Sequence, residues 1–160
     1  MNLVENLAGE ICKIIFPIND EMFFGNSESS LALCTLSSTK LLKEISNSTL
    51  MSKIAIAGRL LSENKGIDLL VRYITSNKNI KTILVCGKDT LGHRPGHSLI
   101  NLYKNGIDSE GRIIGSSSPD PVLTVKKSQI EMFQKQVKLI NEIDQTNMAK
   151  INILIDSISS

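Results

Sequence analysis

Apolar residues in this chain gather in short unbroken runs, each followed by a small-residue or polar loop and then by a stretch of helical periodicity. Leu31 to Leu36 (LALCTL) follows the turn-rich GNSESS, Ile54 to Ala57 (IAIA) stops at Gly58, and Thr82 to Cys86 (TILVC) stops at Gly87. Runs of this length between turn signals predict buried strands. Arg112 to Ile114 (RII) before Gly115 is a candidate fourth strand. Ile67, Leu70, Val71 and Ile74 mark one face of a helix that Asn64 would cap and that runs out at Ser76 and Asn77. A second helix is expected from Pro95, where a missing N–H costs nothing, to a stop at Gly106. A third is signalled by the capping-box spacing of Ser128 and Glu131, with Ile130, Phe133, Val137 and Ile140 at helical intervals.

Strands alternating with helices predict an α/β fold with a mainly parallel sheet flanked by helices. No internal repeat interrupts the pattern. The turn-rich SSSPDP, Ser116 to Pro121, is short enough for an exposed crossover, so residues 1–160 read as one domain. Residues 1–25 read as a helix and an extended arm packed on it, and residues 145–160 as a tail or short helix.

Composition narrows the class. A chain of 160 residues with 41% hydrophobic and 21% charged residues is that of a globular domain with a core of ordinary size. Aromatic residues make up only 4% and Trp is absent, so the core must be aliphatic. A formal net charge of +2, with no basic block, argues against a nucleic-acid surface. Cys12, Cys34 and Cys86 are widely spaced and include no C-x-x-C, which suits a reducing cytoplasm and neither a disulfide framework nor a structural zinc site. The start, MNLVENLAGEICK, carries no secretory signal, and no apolar run approaches the roughly 20 residues of a membrane span.

In an open parallel sheet, ligands bind beyond the carboxyl ends of the strands. The loops after Leu36, Ala57, Val85 and Ile114 should meet at that rim, and one of them, CGKDTLGHRPG, leads to both histidines of the chain, His93 and His97. Several readings are open for this pair. If Pro95 starts a helix, the two do not share a continuous helix face, so the zinc pairing of H-E-x-x-H is unavailable, although Asp89 is a conceivable further ligand. A glycine loop before a helix would attract an anion, but neither G-x-x-x-x-G-K-[ST] nor G-x-G-x-x-G occurs. Both imidazoles could simply satisfy local hydrogen bonds. The remaining reading holds one imidazole on a loop flanked by Gly92 and Gly96, where it reaches a metal already chelated by a flat macrocycle. H-x-x-G at His93 is part of the D-x-H-x-x-G signature of cobalamin-binding modules, with Leu91 in place of the aspartate. A ligating His93 then needs another partner for its second ring nitrogen.

The stretch AGRLLSENKGIDLLVRYITSNKNIKTILVCGKDTLGHRPGHSLINLYKNGIDSEGRIIGSSSPDPVL resembles the A subunit of tetrahydromethanopterin S-methyltransferase, the MtrA family. The elements that carry the likeness occur in one order: AG before S-E-N-x-G, N-x-x-I before the CG strand, G-H-x-x-G, L-x-K-N-G-I-D and G-R-I-I-G. With LALCTLS as the first strand, the likeness runs from about Phe16 to Asp144. It implies a Rossmann-like domain that binds cobalamin, a hydroxybenzimidazolyl cobamide or a related corrinoid, with His93 as lower axial ligand to cobalt. His97 stands where the family usually has glutamine. Ser37, Gly58, Glu63, Asn64, Gly87, Gly92, Gly96 and Gly115 map to loops that would contact the corrin or its amides. Lys65 and the GSSSPDP loop depart from the family pattern, and so does the lack of a C-terminal membrane helix.

The resemblance further implies a methyl carrier without a complete active site of its own. Co(I) would accept a methyl group from a methylated pterin and pass it to a thiol such as coenzyme M, with partner subunits supplying both. Such a protein would be cytoplasmic and reach a membrane only through those subunits. The alternative is a nucleotide-binding or regulatory module of the same fold without corrinoid, and a third is a structural subunit that docks others.

Overall fold

The computed structural model describes residues 22–160. Alternation within the strands decides where each face of the sheet packs. In β2 (Leu31–Cys34) and β4 (Thr82–Gly87), Ala32, Cys34, Ile83 and Val85 face one core, while Leu31, Leu33, Leu84 and Cys86 face the other. All of them are buried, as expected of strands covered on both sides. On the first side lie α2 (Lys65–Ser76), α3 (Pro95–Asn105) and α4 (Lys127–Gln136), which contribute Ile67, Leu70, Val71, Ile74, Leu99, Leu102, Ile130 and Phe133. The other side is covered by α1 (Thr39–Ser46), a 3₁₀ turn (Thr49–Lys53) and α5 (Met148–Ser159), through Leu41, Leu42, Ile45, Leu50, Ile151 and Ile155.

The sheet has five strands in the order β1 (Met22–Phe24), β3 (Ile56–Gly58), β2, β4 and β5 (Lys138–Ile143). Only β1 runs antiparallel, pairing Met22 with Gly58; the rest of the sheet is parallel. The expected α/β class with a mainly parallel sheet flanked by helices is therefore what forms. Because β3 lies on the outer side of β2 and β5 on the outer side of β4, the connections leaving β2 and β4 diverge, which makes their carboxyl ends the switch point of the sheet.

Several sequence expectations held in detail. Asn64 is the N-cap of α2 and accepts from the Lys65 N–H at 2.7 Å; Asn77 ends that helix, and α3 runs from Pro95 to a C-cap at Gly106. Others need correction. Arg112 to Ile114 is not a strand: the segment makes only isolated bridges, Ile107 with Ile113 and Arg112 with Val122. Ser128 does not cap α4, whose N-cap is Lys126 without a side-chain hydrogen bond. Nor does that helix continue to Ile140, because Val137 is extended and residues 138–143 form β5 beside β4. Leu139 and Ile143 pack on the first core and Ile140 on the second, so a strand buries what a longer helix would leave on one side. Of the expected arm, Met22–Phe24 is β1 and the first 21 residues lie outside the described ones. The C-terminal segment is a helix of 12 residues.

Cys34 and Cys86 are free and buried on opposite faces of the sheet. Burial pushes the Cys34 thiol up to about 12 and raises that of Cys86 further. Among the described residues, no helix is long and apolar enough to cross a membrane.

Candidate functional site

The carboxyl ends of β2 and β4 are stitched together before the rim opens. Ser37 donates to the Lys88 carbonyl through its N–H at 2.9 Å and its Oγ at 2.7 Å, and the Lys88 N–H donates to Ser38 Oγ at 2.8 Å. Gly87 permits this seam: its φ is +78°, and a Cβ there would run into the Thr35 carbonyl oxygen and the Ser38 side chain. Gly58, at the end of β3, accepts the Thr35 N–H at 2.9 Å. Three of the sequence-predicted loop residues, Ser37, Gly58 and Gly87, thus sit along the floor of the rim.

Beyond the seam the chain turns into α3. Asp89 accepts the N–H groups of Gly96 at 2.9 Å and of His97 at 2.9 Å, so a carboxylate already occupies the helix N-terminus. A Cβ on Gly96 would press on Leu36 at 2.8 Å and on Asp89 Oδ2 at 3.0 Å, so its absence lets the first turn of α3 lie against the β2 loop. Gly92 differs: its φ is +81°, and nothing lies within 4 Å of where a Cβ would stand. The backbone at Gly92 is open for close approach.

His93 lies between these glycines with its side chain 62% exposed, while that of Glu63 beneath it is only 2% exposed. His93 Nδ1 stands 3.2 Å and 3.1 Å from the two Glu63 carboxylate oxygens. An ionised carboxylate only accepts, so Nδ1 carries a proton, and in the neutral ring it is Nε2 that keeps a lone pair. Among the described residues Nε2 makes no hydrogen bond. Burial by itself would raise the Glu63 pKa, but the donors around it win and hold the carboxyl below its ordinary value: its own backbone N–H, the His93 ring and the Asp120 N–H.

The last loop reaches this pair from residues 116–121, although no strand delivers it. The Asp120 N–H donates to Glu63 Oε1 at 3.2 Å, and Asn64 Nδ2 donates to Asp120 Oδ2 at 3.1 Å. Nearer α3, the buried Ser98 hydroxyl is 2.7 Å from both Ser116 Oγ and Ser118 Oγ, and Arg94 Nη1 donates to Ser117 Oγ at 3.0 Å. His97 Nε2 accepts from the Ser117 N–H at 3.3 Å and lies 3.2 Å from its Oγ. Burial, with help from the Arg94 charge, lowers the His97 pKa against the opposing pull of Asp89. Gly115, with φ +86°, starts this loop; a Cβ there would meet Asn101 Oδ1 at 2.8 Å.

Both shifted groups favour the same direction of pH dependence. A His97 pKa below its unfolded value means that the unfolded chain takes up the proton first, so stability is present above the ordinary histidine range and is lost on acidification. Glu63 adds a second loss as the pH falls below the ordinary carboxylate range. Urea midpoints measured from about pH 7 to about pH 2 should therefore decline in two stages, one below the ordinary histidine range and one below the ordinary carboxylate range, and His97→Gln should remove the upper one.

The structure brings Glu63, Asn64, Gly92 and His93 into one cluster and keeps His97 apart, turned to the serine loop. Sequence reasoning missed Asp89 as a helix cap and Asp120 and Ser117 as anchors, because each acts across a separation that no local pattern records.

A family model, MtrA, described as the A subunit of tetrahydromethanopterin S-methyltransferase, matches residues 13–160. The chain belongs to this family. It is 38% identical over 128 residues to a Methanosarcina barkeri protein named as the A subunit of a methyltransferase called Mtx, covering 79% of this chain and 61% of that protein. It is 37% identical over 134 residues to the A subunit of tetrahydromethanopterin S-methyltransferase from Methanosphaera stadtmanae, covering 82% of this chain and 52% of the relative. Another relative, the second of the A subunits from Methanothermobacter marburgensis, is 35% identical over 129 residues, with coverage of 79% and 67%. The chain thus spans about half to two thirds of the length of these family members.

Proposed function

We propose that this member of the family is a corrinoid-binding methyl carrier, with His93 as the axial ligand to cobalt. The observation that carries the reading is the Glu63–His93 pair: a buried carboxylate at Nδ1, an exposed ring whose Nε2 makes no hydrogen bond among the described residues, and an open backbone at Gly92 beside it. Metal-bound imidazoles typically donate their other N–H to such a group. The aspartate that Leu91 replaces in the D-x-H-x-x-G pattern therefore has a substitute in Glu63, which comes from a different loop.

The donor set fits a metal that arrives already chelated. A free zinc ion needs three or four protein ligands, and no group of three or more His, Cys, Asp or Glu side chains gathers among the described residues. One imidazole suffices for a corrinoid. When bound, the corrinoid supplies the cobalt that takes up and gives away a methyl group. This chain's residues supply the rest: His93 offers Nε2, Glu63 fixes its tautomer and ring direction, and Asp120 and Asn64 hold the Glu63 side of the rim in place. Other methyltransferase subunits would bring the methylated pterin and the thiol acceptor. The rival reading, a nucleotide at the same rim, is disfavoured because Asp89 already neutralises the N-terminus of α3, where a phosphate would sit.

The test is reconstitution of the purified protein with aquocobalamin followed by gel filtration and visible spectroscopy. The wild type should retain the corrinoid with the spectrum of an imidazole-ligated cobalt, and His93→Ala should lose that spectrum. A wild type that elutes colourless, or a His93→Ala variant with an unchanged spectrum, overturns the assignment.

A further inference from the structure

His97 has no place in the proposed cobalt site, yet it is hydrogen-bonded to the loop that holds that site. Its Nε2 accepts the Ser117 backbone N–H, an obligatory donor, so in this arrangement the ring must be neutral with its proton on Nδ1. The turn it holds continues through Ser118, whose Oγ meets the buried Ser98 and donates to the Arg94 carbonyl at 3.3 Å, to Asp120, whose N–H reaches Glu63. Glu63 in turn orients His93. The short segment 117–120 is therefore hydrogen-bonded to His97 at one end and to Glu63, the partner of His93, at the other.

We propose that His97 is a positioning residue: its neutral ring latches the 117–120 loop against Glu63, and protonation opens the latch. A protonated imidazole has two donors and no acceptor, so the Ser117 N–H loses its partner. The new charge would also face Arg94, whose guanidinium shares Ser117 Oγ, and the nearest countercharge, Asp89, is committed to the backbone N–H groups of Gly96 and His97. Asn101, on the same helix, places only an amide nitrogen near the ring, at 3.3 Å from Nε2, and offers no negative charge to stabilise the cation. The lowered His97 pKa agrees with this surrounding. The consequence at His93 rests on the methyl-carrier reading, whereas the latch itself does not.

The experiment follows the imidazole nitrogens and the backbone amides by ¹⁵N NMR in the cofactor-free protein across about pH 5 to 8, the range in which histidine changes charge. The amides of Ser117, Ser118 and Asp120 should titrate with the midpoint of the His97 ring. In His97→Gln, whose amide oxygen can accept at every pH, these shifts should vanish while the fold is kept. Amides that ignore the His97 midpoint, or that titrate equally in His97→Gln, overturn the latch. In a second arm, the loss of aquocobalamin affinity on acidification should be about fivefold greater in the wild type than in His97→Gln, the equivalent of one net hydrogen bond of about 1 kcal/mol, since the fall common to any imidazole ligand is shared by both. Amides that titrate in a protein that takes up no corrinoid at any pH sustain the latch and remove the methyl-carrier reading instead.

Discussion

For the corrinoid-carrier role we propose, exchanging Glu63 for Ala should weaken retention of cobalamin by about 10- to 100-fold, the cost typical of losing the group that orients a metal-bound histidine. Glu63 does two things at once. It accepts the Nδ1 proton of His93, which fixes the tautomer, and its charge makes Nε2 a better donor to a metal. Glu63→Gln separates these effects, because the amide oxygen can still accept from His93 and from the Asp120 N–H while the charge is gone. Its affinity should fall between those of the wild type and Glu63→Ala. Absorbance titrations with aquocobalamin measure all three, and a Glu63→Ala protein that binds as tightly as the wild type would exclude the pair as the support of the ligand.

Replacing Asp68 by Ala should cost about 1–3 kcal/mol of stability, the range for leaving a buried backbone donor without its acceptor. Asp68 is buried on α2 and accepts from the Thr124 N–H at 2.9 Å, the Thr124 hydroxyl at 2.8 Å and the Val125 N–H at 3.0 Å. Removing the carboxylate strands the buried Val125 N–H, whereas the groups of the exposed Thr124 can turn to water. Asp68→Asn should be milder, because one carbonyl oxygen can still serve both backbone groups. Urea unfolding resolves the difference, and a loss below about 1 kcal/mol for Asp68→Ala would show that the segment relaxes to find other partners. The same carboxylate fastens residues 124–125, just beyond the loop that carries Asp120, so its removal should also loosen the contact to Glu63.

The parts of the fold that were legible in the sequence are those where local chemistry and burial agree. Asn64 caps a helix it precedes, Pro95 and Gly106 bracket α3, and the central strands announce themselves as unbroken apolar runs because both of their faces are covered. At the edge of the sheet this agreement fails. Lys138–Ile143 is half exposed and mixed in polarity, and its apolar residues also suit a helical reading of the preceding segment. Likewise, Ile113 is buried without belonging to a strand, since isolated bridges and a turn cover it. At the candidate site, the glycines and His93 stood out from their spacing and from the family resemblance. Contacts such as Glu63 to His93, 30 residues apart, or Asp120 to Glu63, 57 residues apart, depend on which strands neighbour each other and leave no local trace.

The two thiols sealed on either face of the sheet have a chemical meaning for a carrier of methyl groups. Only a thiolate is an effective nucleophile, and burial keeps Cys34 and Cys86 protonated at neutral pH. For the methyl-carrier role we propose, neither could intercept the cargo and become an irreversibly alkylated thioether, which leaves transfer open to a thiol brought from outside.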